Sequence, residues 1–345
     1  MATANMQAAN VNDRTQTPTN DVGDTLLAVK SLKVAFKTRD GLLEAVKGVS
    51  FDLHRGQTLC IVGESGCGKS TMSMALVGLL PDNAIASGDV SFDGSQMLNC
   101  SENSLAQIRG RRIGVIFQDP ARSLNPVLTI GRQIGEVLRK HLGMTKDAIR
   151  ARIIALLAEV GINDPELRIG QYPHELSGGL KQRVMIAMAI ACEPDLLIAD
   201  EPTTALDVTV QRQVLGLLRG LQEKRRLALI LVTHDFGVVS AMAEHVAVMY
   251  AGRIVEFADV FELFNNARHP YTKALLNANP RRVLAAASSA PLRPIPGSPP
   301  SPLESIPGCS FSPRCPERHA ACVDSPREFI TGTDHKISCW LVQND

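Results

Sequence analysis

A glycine-rich loop between an apolar run and a helix-forming segment carries the first chemistry of the chain. Residues 63–70 read G-E-S-G-C-G-K-S and directly follow the apolar run Leu59–Val62. The three glycines permit backbone conformations that turn successive N–H groups inward, so the loop can cradle phosphates. Lys69 can reach the terminal phosphates, and the Ser70 hydroxyl can ligate magnesium. The spacing predicts a nucleoside triphosphate site formed by Gly63, Glu64, Ser65, Gly66, Cys67, Gly68, Lys69, Ser70 and Thr71.

Two adjacent carboxylates follow a second short apolar strand. Leu196–Ala199 is followed by Asp200 and Glu201. An isolated Asp-Glu pair would be interpreted as a solvated turn, but a phosphate loop upstream requires such a partner. Asp200 is placed to hold magnesium, usually through water, and Glu201 to polarise the water that attacks the γ-phosphate. We therefore expect a nucleoside triphosphate and Mg²⁺ as ligands, with Glu201 as a catalytic residue.

A third motif, Ser177-Gly178-Gly179, opens an apolar helix. A helix start of this kind supplies free N–H groups, a hydroxyl and the positive end of the helix dipole, which makes a second anion site. The segment 176–183 resembles the signature of ATP-binding cassette (ABC) ATPases, with Leu180 where many members carry glutamine. In that family two subunits pair head to tail, and each signature caps the ATP held by the other subunit's loop.

The same resemblance implies roles for four further residues. Gln118 resembles the glutamine that contacts magnesium and the attacking water, and His234 resembles the switch histidine that contacts the γ-phosphate. Asp207 lies in a segment resembling the loop that crosses the dimer interface. Phe36 lies where the family stacks an aromatic ring on adenine, although packing in the core would also explain an aromatic residue there.

Cys67 lies inside the phosphate loop, where many relatives carry serine. A helix N-terminus and Lys69 should favour its thiolate, which would make the residue reactive. The alternative is a small side chain that only fills space in the loop.

The elements that must position these motifs form an α/β pattern. We expect a RecA-like ABC ATPase core with an antiparallel β subdomain, and a helical subdomain at about 123–180. After the helical subdomain, strands alternate with helices up to Tyr250, which is the pattern of a parallel sheet covered on both faces. The predicted divisions are a disordered tail at 1–25, a nucleotide-binding domain at 26–268 and a C-terminal extension at 269–345. The predicted strands of the antiparallel subdomain are Leu26–Phe36, Ala45–Leu53 and Gly88–Phe92.

The C-terminal extension begins with a proline-rich linker and ends with four crowded cysteines. Eight prolines occur between Pro280 and Pro307, which excludes a regular helix or central strand. A cytosolic ATPase keeps its thiols reduced, so a metal centre is favoured over disulfides. The spacing lacks the paired C-x₂-C knuckles usual for zinc and suits an iron–sulfur cluster. The expected ligands are Cys309, Cys315, Cys322 and Cys339, with zinc or no metal as alternatives.

Two segments in this region resemble the dipeptide/oligopeptide/nickel importer branch of the ABC family, most of all its dipeptide type. They are His269-Pro270-Tyr271-Thr272-Lys273 and Pro313-Arg314-Cys315-Pro316. In that branch the cysteines are associated with a [4Fe–4S] cluster, and two paralogous ATPases energise a pair of permeases fed by a periplasmic binding protein. The resemblance implies ATP-driven import of di- or oligopeptides by a heterodimeric ATPase.

Composition agrees with a peripheral subunit on the cytoplasmic face of the inner membrane. With 36 basic and 35 acidic residues, the chain has no field that favours nucleic acid as a partner. No apolar run approaches the length of a membrane span, so the channel would be formed by other polypeptides. Three alternatives remain open: import of nickel, haem or another peptide-like cargo, a cassette ATPase without a transport role, and a scaffold that does not hydrolyse ATP.

Overall fold

A computed structural model describes residues 25–204, 206–278, 295–301, 303–304, 306–332 and 334–342. The predicted disordered tail, apart from Thr25, and most of the proline-rich linker lie outside the described residues, as does Ala205.

A four-stranded antiparallel sheet is formed by the first part of the described chain, with the strand order β2-β1-β4-β5. Its strands are β1 (Thr25–Thr38), β2 (Gly41–His54), β4 (Ala84–Phe92) and β5 (Ser95–Gln96). Apolar side chains such as Leu27, Val34 and Phe92 are fully buried on one face of this sheet. The predicted antiparallel subdomain is confirmed, and its strands extend a few residues beyond the predicted bounds.

An eight-stranded sheet in the described residues has the order β11-β12-β10-β9-β3-β8-β7-β6. Its strands are β3 (Thr58–Val62), β6 (Ile113–Ile116), β7 (Leu196–Asp200), β8 (Ala228–Thr233), β9 (His245–Tyr250), β10 (Arg253–Asp259), β11 (Phe329–Thr331) and β12 (His335–Ile337). The strands from β9 to β6 are parallel neighbours, as predicted. The other three are antiparallel, a feature that the sequence analysis did not predict.

Both faces of the parallel part of the sheet are covered, because successive residues of the central strand β3 belong to different cores. Leu59 and Ile61 pack into the core shared with the antiparallel sheet. Cys60 and Val62 pack into the core shared with the helical region. The helices outside the helical subdomain are α1 (Lys69–Leu76), α2 (Glu102–Ile108), α8 (Val208–Arg225), α9 (Phe236–Met242), α10 (Val260–Asn266) and α11 (Pro270–Asn277).

The predicted helical subdomain contains a run of helices between β6 and β7. Its helices are α3 (Pro120–Ser123), α4 (Ile130–Leu142), α5 (Lys146–Glu159), α6 (Pro165–Arg168) and α7 (Gly178–Ala189), with a 3₁₀ turn at Pro173–Glu175. Apolar residues recur along one side of α4 and are buried at Ile130, Ile134 and Leu138. No helix within the described ranges is long and apolar enough to cross a membrane.

The described residues between 295 and 342 belong to the predicted C-terminal extension, 269–345, and pack directly onto the large sheet. Its strand β12 pairs with β10. The buried carboxylate of Glu256 on β10 links this strand to the segments beside it. It bonds His335 Nε2 at 2.8 Å and accepts hydrogen bonds from the main-chain N–H groups of Arg268 and His269. The extension therefore shares the core of the nucleotide-binding region.

Candidate functional site

The phosphate loop connects the end of β3 to the start of α1, and two of its glycines are required by close backbone approaches. A Cβ atom at Gly63 would collide with the carbonyl oxygen of Met249, and one at Gly68 with that of Ala45. Gly68 also has a φ of 105°, a conformation that disfavours other residues. These contacts hold the loop against both sheets at the N-terminus of α1, where the first N–H groups of the helix have no partner within it and can bind an anion.

Lys69 is held across this loop rather than extended into solvent. Its Nζ donates to the main-chain oxygens of Gly63 and Glu64, both at 2.9 Å. The side chain is buried, with 6% of the residue exposed. An ammonium fixed at this position supplies the positive charge that a nucleotide's terminal phosphates require.

The carboxylate of Asp200 at the end of β7 lies beside Ser70. Burial raises the pKa of Asp200, although a hydrogen bond from Ser70 acts in the opposite direction. Asp200 Oδ1 is buried without a hydrogen-bond partner in the described part of the chain. A hard cation at this oxygen would offset the cost of burying the charge, so Asp200 and Ser70 fit the predicted magnesium site.

Glu201 is the centre of a network that joins three separate segments of the chain. Its Oε2 accepts hydrogen bonds from Gln118 Nε2 at 2.8 Å and from Thr204 Oγ1 at 2.9 Å. Its Oε1 lies 3.2 Å from His234 Nδ1. The structure thus brings together the three residues predicted to be catalytic, Gln118, Glu201 and His234.

The Glu201 carboxyl is ionised near neutral pH. Burial raises its pKa, but hydrogen bonds from Thr204 and His234, with the charge of Lys69, outweigh that effect and lower it below the ordinary value. The Glu201 backbone has a φ of 46°, a left-handed conformation that residues with a side chain adopt rarely. An ionised carboxylate beside a phosphate loop can orient and polarise an attacking water.

A cleft of about 440 Å³ runs along the loop and past Glu201. Of the predicted residues, the following line it: Phe36, Ser65, Gly66, Gly68, Lys69, Ser70, Thr71, Gln118 and Glu201. Phe36 also packs against the core of the antiparallel sheet, so its stacking on adenine stays a prediction. Gly63, Glu64 and Cys67 also belong to the loop but do not line the cleft.

The signature and the Asp207 loop lie apart from this cleft. Ser177 caps α7 through a hydrogen bond that its hydroxyl accepts from Leu180 N, and it is exposed together with Gly178, while Gly179 is half-buried. Asp207 caps α8 by accepting from the N–H groups of Thr209 and Val210. Within this chain the described residues do not bring these segments to the phosphate loop, which leaves them available to a second subunit.

The prediction that Cys67 is present as a thiolate is wrong. Only 7% of the residue is exposed, and its side chain lies against Gly63. Burial raises the pKa of the Cys67 thiol and outweighs the lowering effect of Lys69. Desolvation thus keeps the thiol neutral, and Cys67 serves as a small apolar filler of the loop.

The predicted iron–sulfur centre is also wrong. No group of three or more His, Cys, Asp or Glu side chains in the described residues is arranged to hold a metal ion. Burial raises the pKa of Cys309, Cys315 and Cys339, the last to about 11, and the charges of the neighbouring cysteines act in the same direction. Cys309 and Cys315 pack against the main core, Cys322 is buried, and Cys339 lies in an apolar cluster with Phe329. Neither the iron–sulfur centre nor the zinc alternative therefore has a ligand group in the described part of the chain.

Residues from the C-terminal extension reach the ATP site, and none of them was among the predicted site residues. Five of them line the cleft: Pro300, Ser301, Glu304, Ile306 and Ser310. Arg314 forms an ion pair with Glu64 at 2.7 Å, and Tyr271 on α11 accepts a hydrogen bond from Glu64 N. No local pattern predicts a contact between residues separated by 250 positions.

A phosphate loop, a carboxylate network with Gln118 and His234, and a separate serine-glycine helix start define an ATP-binding cassette ATPase, which hydrolyses ATP. The sequence matches the family described as ABC transporter over residues 46–204. It also matches the oligopeptide/dipeptide transporter C-terminal region over residues 255–322. The chain belongs to the ATP-binding proteins of dipeptide and oligopeptide ABC transporters.

Individual relatives agree with this family. The dipeptide transport ATP-binding protein DppD of Bacillus subtilis (strain 168) is 47% identical over 321 residues, which cover 92% of this chain and 95% of the relative. The oligopeptide transport ATP-binding protein OppD of the same strain is 52% identical over 257 residues, which cover 74% and 72%. A solved ATP-binding cassette, a dimer in a post-hydrolysis state bound to ADP and Pi, is 29% identical with a TM-score of 0.61, and the match covers 68% of this chain and 98% of that chain.

Proposed function

We propose that this chain supplies the ATP-driven step for import of di- and oligopeptides across the cytoplasmic membrane. The observation that carries the ATPase part is the Glu201 network, in which an ionised carboxylate is held by Gln118, Thr204 and His234 beside the phosphate loop. The peptide part is supported by the similarity to dipeptide and oligopeptide transport proteins over most of the chain.

In the proposed reaction, Glu201 orients a water molecule towards the γ-phosphate, while Lys69 and the loop N–H groups hold the phosphates. Gln118 contacts the same water, and His234 contacts the γ-phosphate. Ser70, Gln118 and Asp200 would hold Mg²⁺, which when bound neutralises charge on the phosphate oxygens.

We propose that the complete site requires a second subunit. The separation of Ser177, Gly178, Gly179 and Asp207 from the chain's own cleft supports head-to-tail pairing with a paralogous ATPase. The other proposed partners are two permeases and a periplasmic substrate-binding protein, with this chain as a peripheral subunit on the cytoplasmic face of the inner membrane. We further propose that residues 26–268 are the nucleotide-binding domain and 269–345 the extension.

Reconstitution tests this function. The chain, its partner ATPase and the two permeases are assembled in proteoliposomes, and phosphate release is measured with the binding protein and either a dipeptide, an oligopeptide, a nickel chelate or haem. We expect stimulation by peptides and uptake of labelled peptide that requires ATP. Stimulation only by nickel or haem would assign a different cargo, and failure to co-purify with permeases would contradict a transport role.

A further inference from the structure

Glu64, the second residue of the phosphate loop, makes three separate contacts. Its main-chain oxygen accepts a hydrogen bond from Lys69 Nζ at 2.9 Å. Its main-chain N–H donates to the Tyr271 hydroxyl at 2.9 Å. Its carboxylate is bound by the guanidinium of Arg314. One residue of the loop therefore contacts both the phosphate-binding lysine and the C-terminal part of the chain.

The contact between Arg314 and Glu64 is a two-point ion pair. Arg314 Nη1 lies 2.7 Å from Glu64 Oε2, and Nη2 lies 3.0 Å from Oε1. The remaining geometry is also fixed, because Arg314 Nε donates to Pro296 O and Nη1 contacts the Tyr250 hydroxyl. The Arg314 side chain is 5% exposed and that of Glu64 is 24% exposed. A buried, two-point pair of this kind is both directional and poorly screened by solvent.

The partners of Glu64 are held by a rigid aromatic cluster. The ring centroids of Tyr250 and Tyr271 lie 4.6 Å apart, and Phe311 lies within 5.3 Å of each of them. Phe311 is three residues before Arg314, and all three rings are buried. The cluster joins β9, α11 and the extension, so the position of Arg314 is set by the main core.

We propose that Arg314 is a positioning residue of the ATP site, which neutralises Glu64 and holds the phosphate loop in its binding conformation. Without the guanidinium, the Glu64 carboxylate would be uncompensated in a partly buried site, in the residue whose main-chain oxygen holds Lys69. An unpaired negative charge is unfavourable in a loop that binds an anion. The extension would then set the affinity for nucleoside triphosphate, in addition to lining the cleft with residues such as Ser301 and Glu304.

A double-mutant cycle that removes the two charges tests this role in the full-length protein. ATP affinity is measured by titration for the wild type, Arg314→Gln, Glu64→Gln and the double variant, with the melting temperature of each. We expect Arg314→Gln to weaken ATP binding about tenfold to a hundredfold, near the lower end of the cost of losing one member of a buried charged pair, because the Glu64 side chain is 24% exposed. The double variant should recover most of this loss, because the uncompensated carboxylate is gone.

The matched control is Arg327→Gln. Arg327 belongs to the same extension and lies over the Phe329 ring at 5.0 Å, away from the loop. It should leave ATP affinity unchanged. Wild-type affinity in Arg314→Gln would overturn the proposal, and so would a double variant as weak as Arg314→Gln, since a purely structural arginine is not rescued by removing Glu64.

Tyr271→Phe provides a second test that does not depend on the charge pair. It removes only the hydroxyl that accepts the Glu64 N–H and keeps the aromatic cluster. We expect ATP affinity to fall about threefold, as for the loss of one modest hydrogen bond, with little change in melting temperature. If Arg314→Gln does not fold, unchanged affinity in Tyr271→Phe overturns the proposed link between the extension and the loop.

Discussion

Two glutamates organise opposite sides of the ATP site, and they do so in different ways. Glu201 binds Gln118, Thr204 and His234, and the His234 side chain is 64% exposed. Glu64 binds Arg314 and Tyr271, which are both buried. The partners of Glu201 include no lysine or arginine in the described residues, whereas Glu64 faces a guanidinium at two points.

Glu201 is the carboxylate that keeps its charge for chemistry, whereas the charge of Glu64 is neutralised and its role is structural. Hydrogen bonds lower the pKa of Glu201 without cancelling its charge, so the oxygen atoms can still polarise water. The Glu64 carboxylate is compensated, which permits it to lie in a loop that binds an anion. Substitutions at the two positions should therefore affect turnover and affinity separately.

The largest expected effect belongs to Glu201→Gln. The amide keeps the shape of the side chain but removes the charge that orients water, so turnover should fall by several orders of magnitude. ATP should still bind and stabilise the closed dimer. Phosphate release and ATP affinity are measured in parallel, with the partner ATPase carrying the equivalent change so that its own site is silent. Release at the wild-type rate would contradict the assignment of Glu201.

A smaller effect is expected from His234→Ala, which should lower turnover about a hundredfold through loss of a polar group that contacts the reacting phosphate. The variant also removes one of the interactions that lower the Glu201 pKa. The active form is the carboxylate, whose pKa would rise, so the acidic limb of the pH–rate profile should move to higher pH.

Thr204→Val is the matched control for that shift. It removes the other hydrogen bond that lowers the Glu201 pKa but not the predicted γ-phosphate contact. We expect the same direction of shift in the acidic limb with a smaller loss of maximal turnover. Profiles identical to the wild type in both variants would contradict the proposed control of Glu201 ionisation.

The smallest expected effect is at Cys67, on the Glu64 side of the site. Because burial keeps the thiol neutral, alkylation at neutral pH should be slow with or without ATP. Cys67→Ser should change ATP affinity by less than about threefold, as expected for a small and nearly isosteric replacement. Mass spectrometry of the labelled loop peptide and ATP titration check both statements. Rapid labelling that ATP blocks would show that the thiolate is present after all.

The catalytic side of the site could be predicted from sequence because its parts are local motifs at the ends of strands. Gln118 lies just after β6, and His234 lies directly after β8. Asp200 is the last residue of β7, and Glu201 is the residue after it. Neighbouring parallel strands bring these ends to one edge of the sheet. The resemblance to the cassette family implied the roles of Gln118 and His234, and the parallel strands explain why both residues reach Glu201.

The other side could not be predicted because it depends on contacts between distant segments. The pair Glu64–Arg314 and the pairing of β12 with β10 join parts of the chain that share no periodic pattern. The cysteine predictions failed for a related reason. Spacing and neighbouring charges were visible at Cys67 and Cys339, but the burial that raises their pKa values is a property of the folded core.

The pairing of β12 with β10 has a consequence for any shortened form of this protein. Glu256 and Phe257 on β10 face Ile337 and Lys336 on β12. A chain cut after α11 would present β10 as an unpaired edge, with its N–H and C=O groups and the Phe257 side chain exposed to other molecules. Edges of this kind recruit further strands. Proteolytic loss of the last segment should therefore convert a monodisperse protein into one that self-associates, well before the ATPase fold itself is lost.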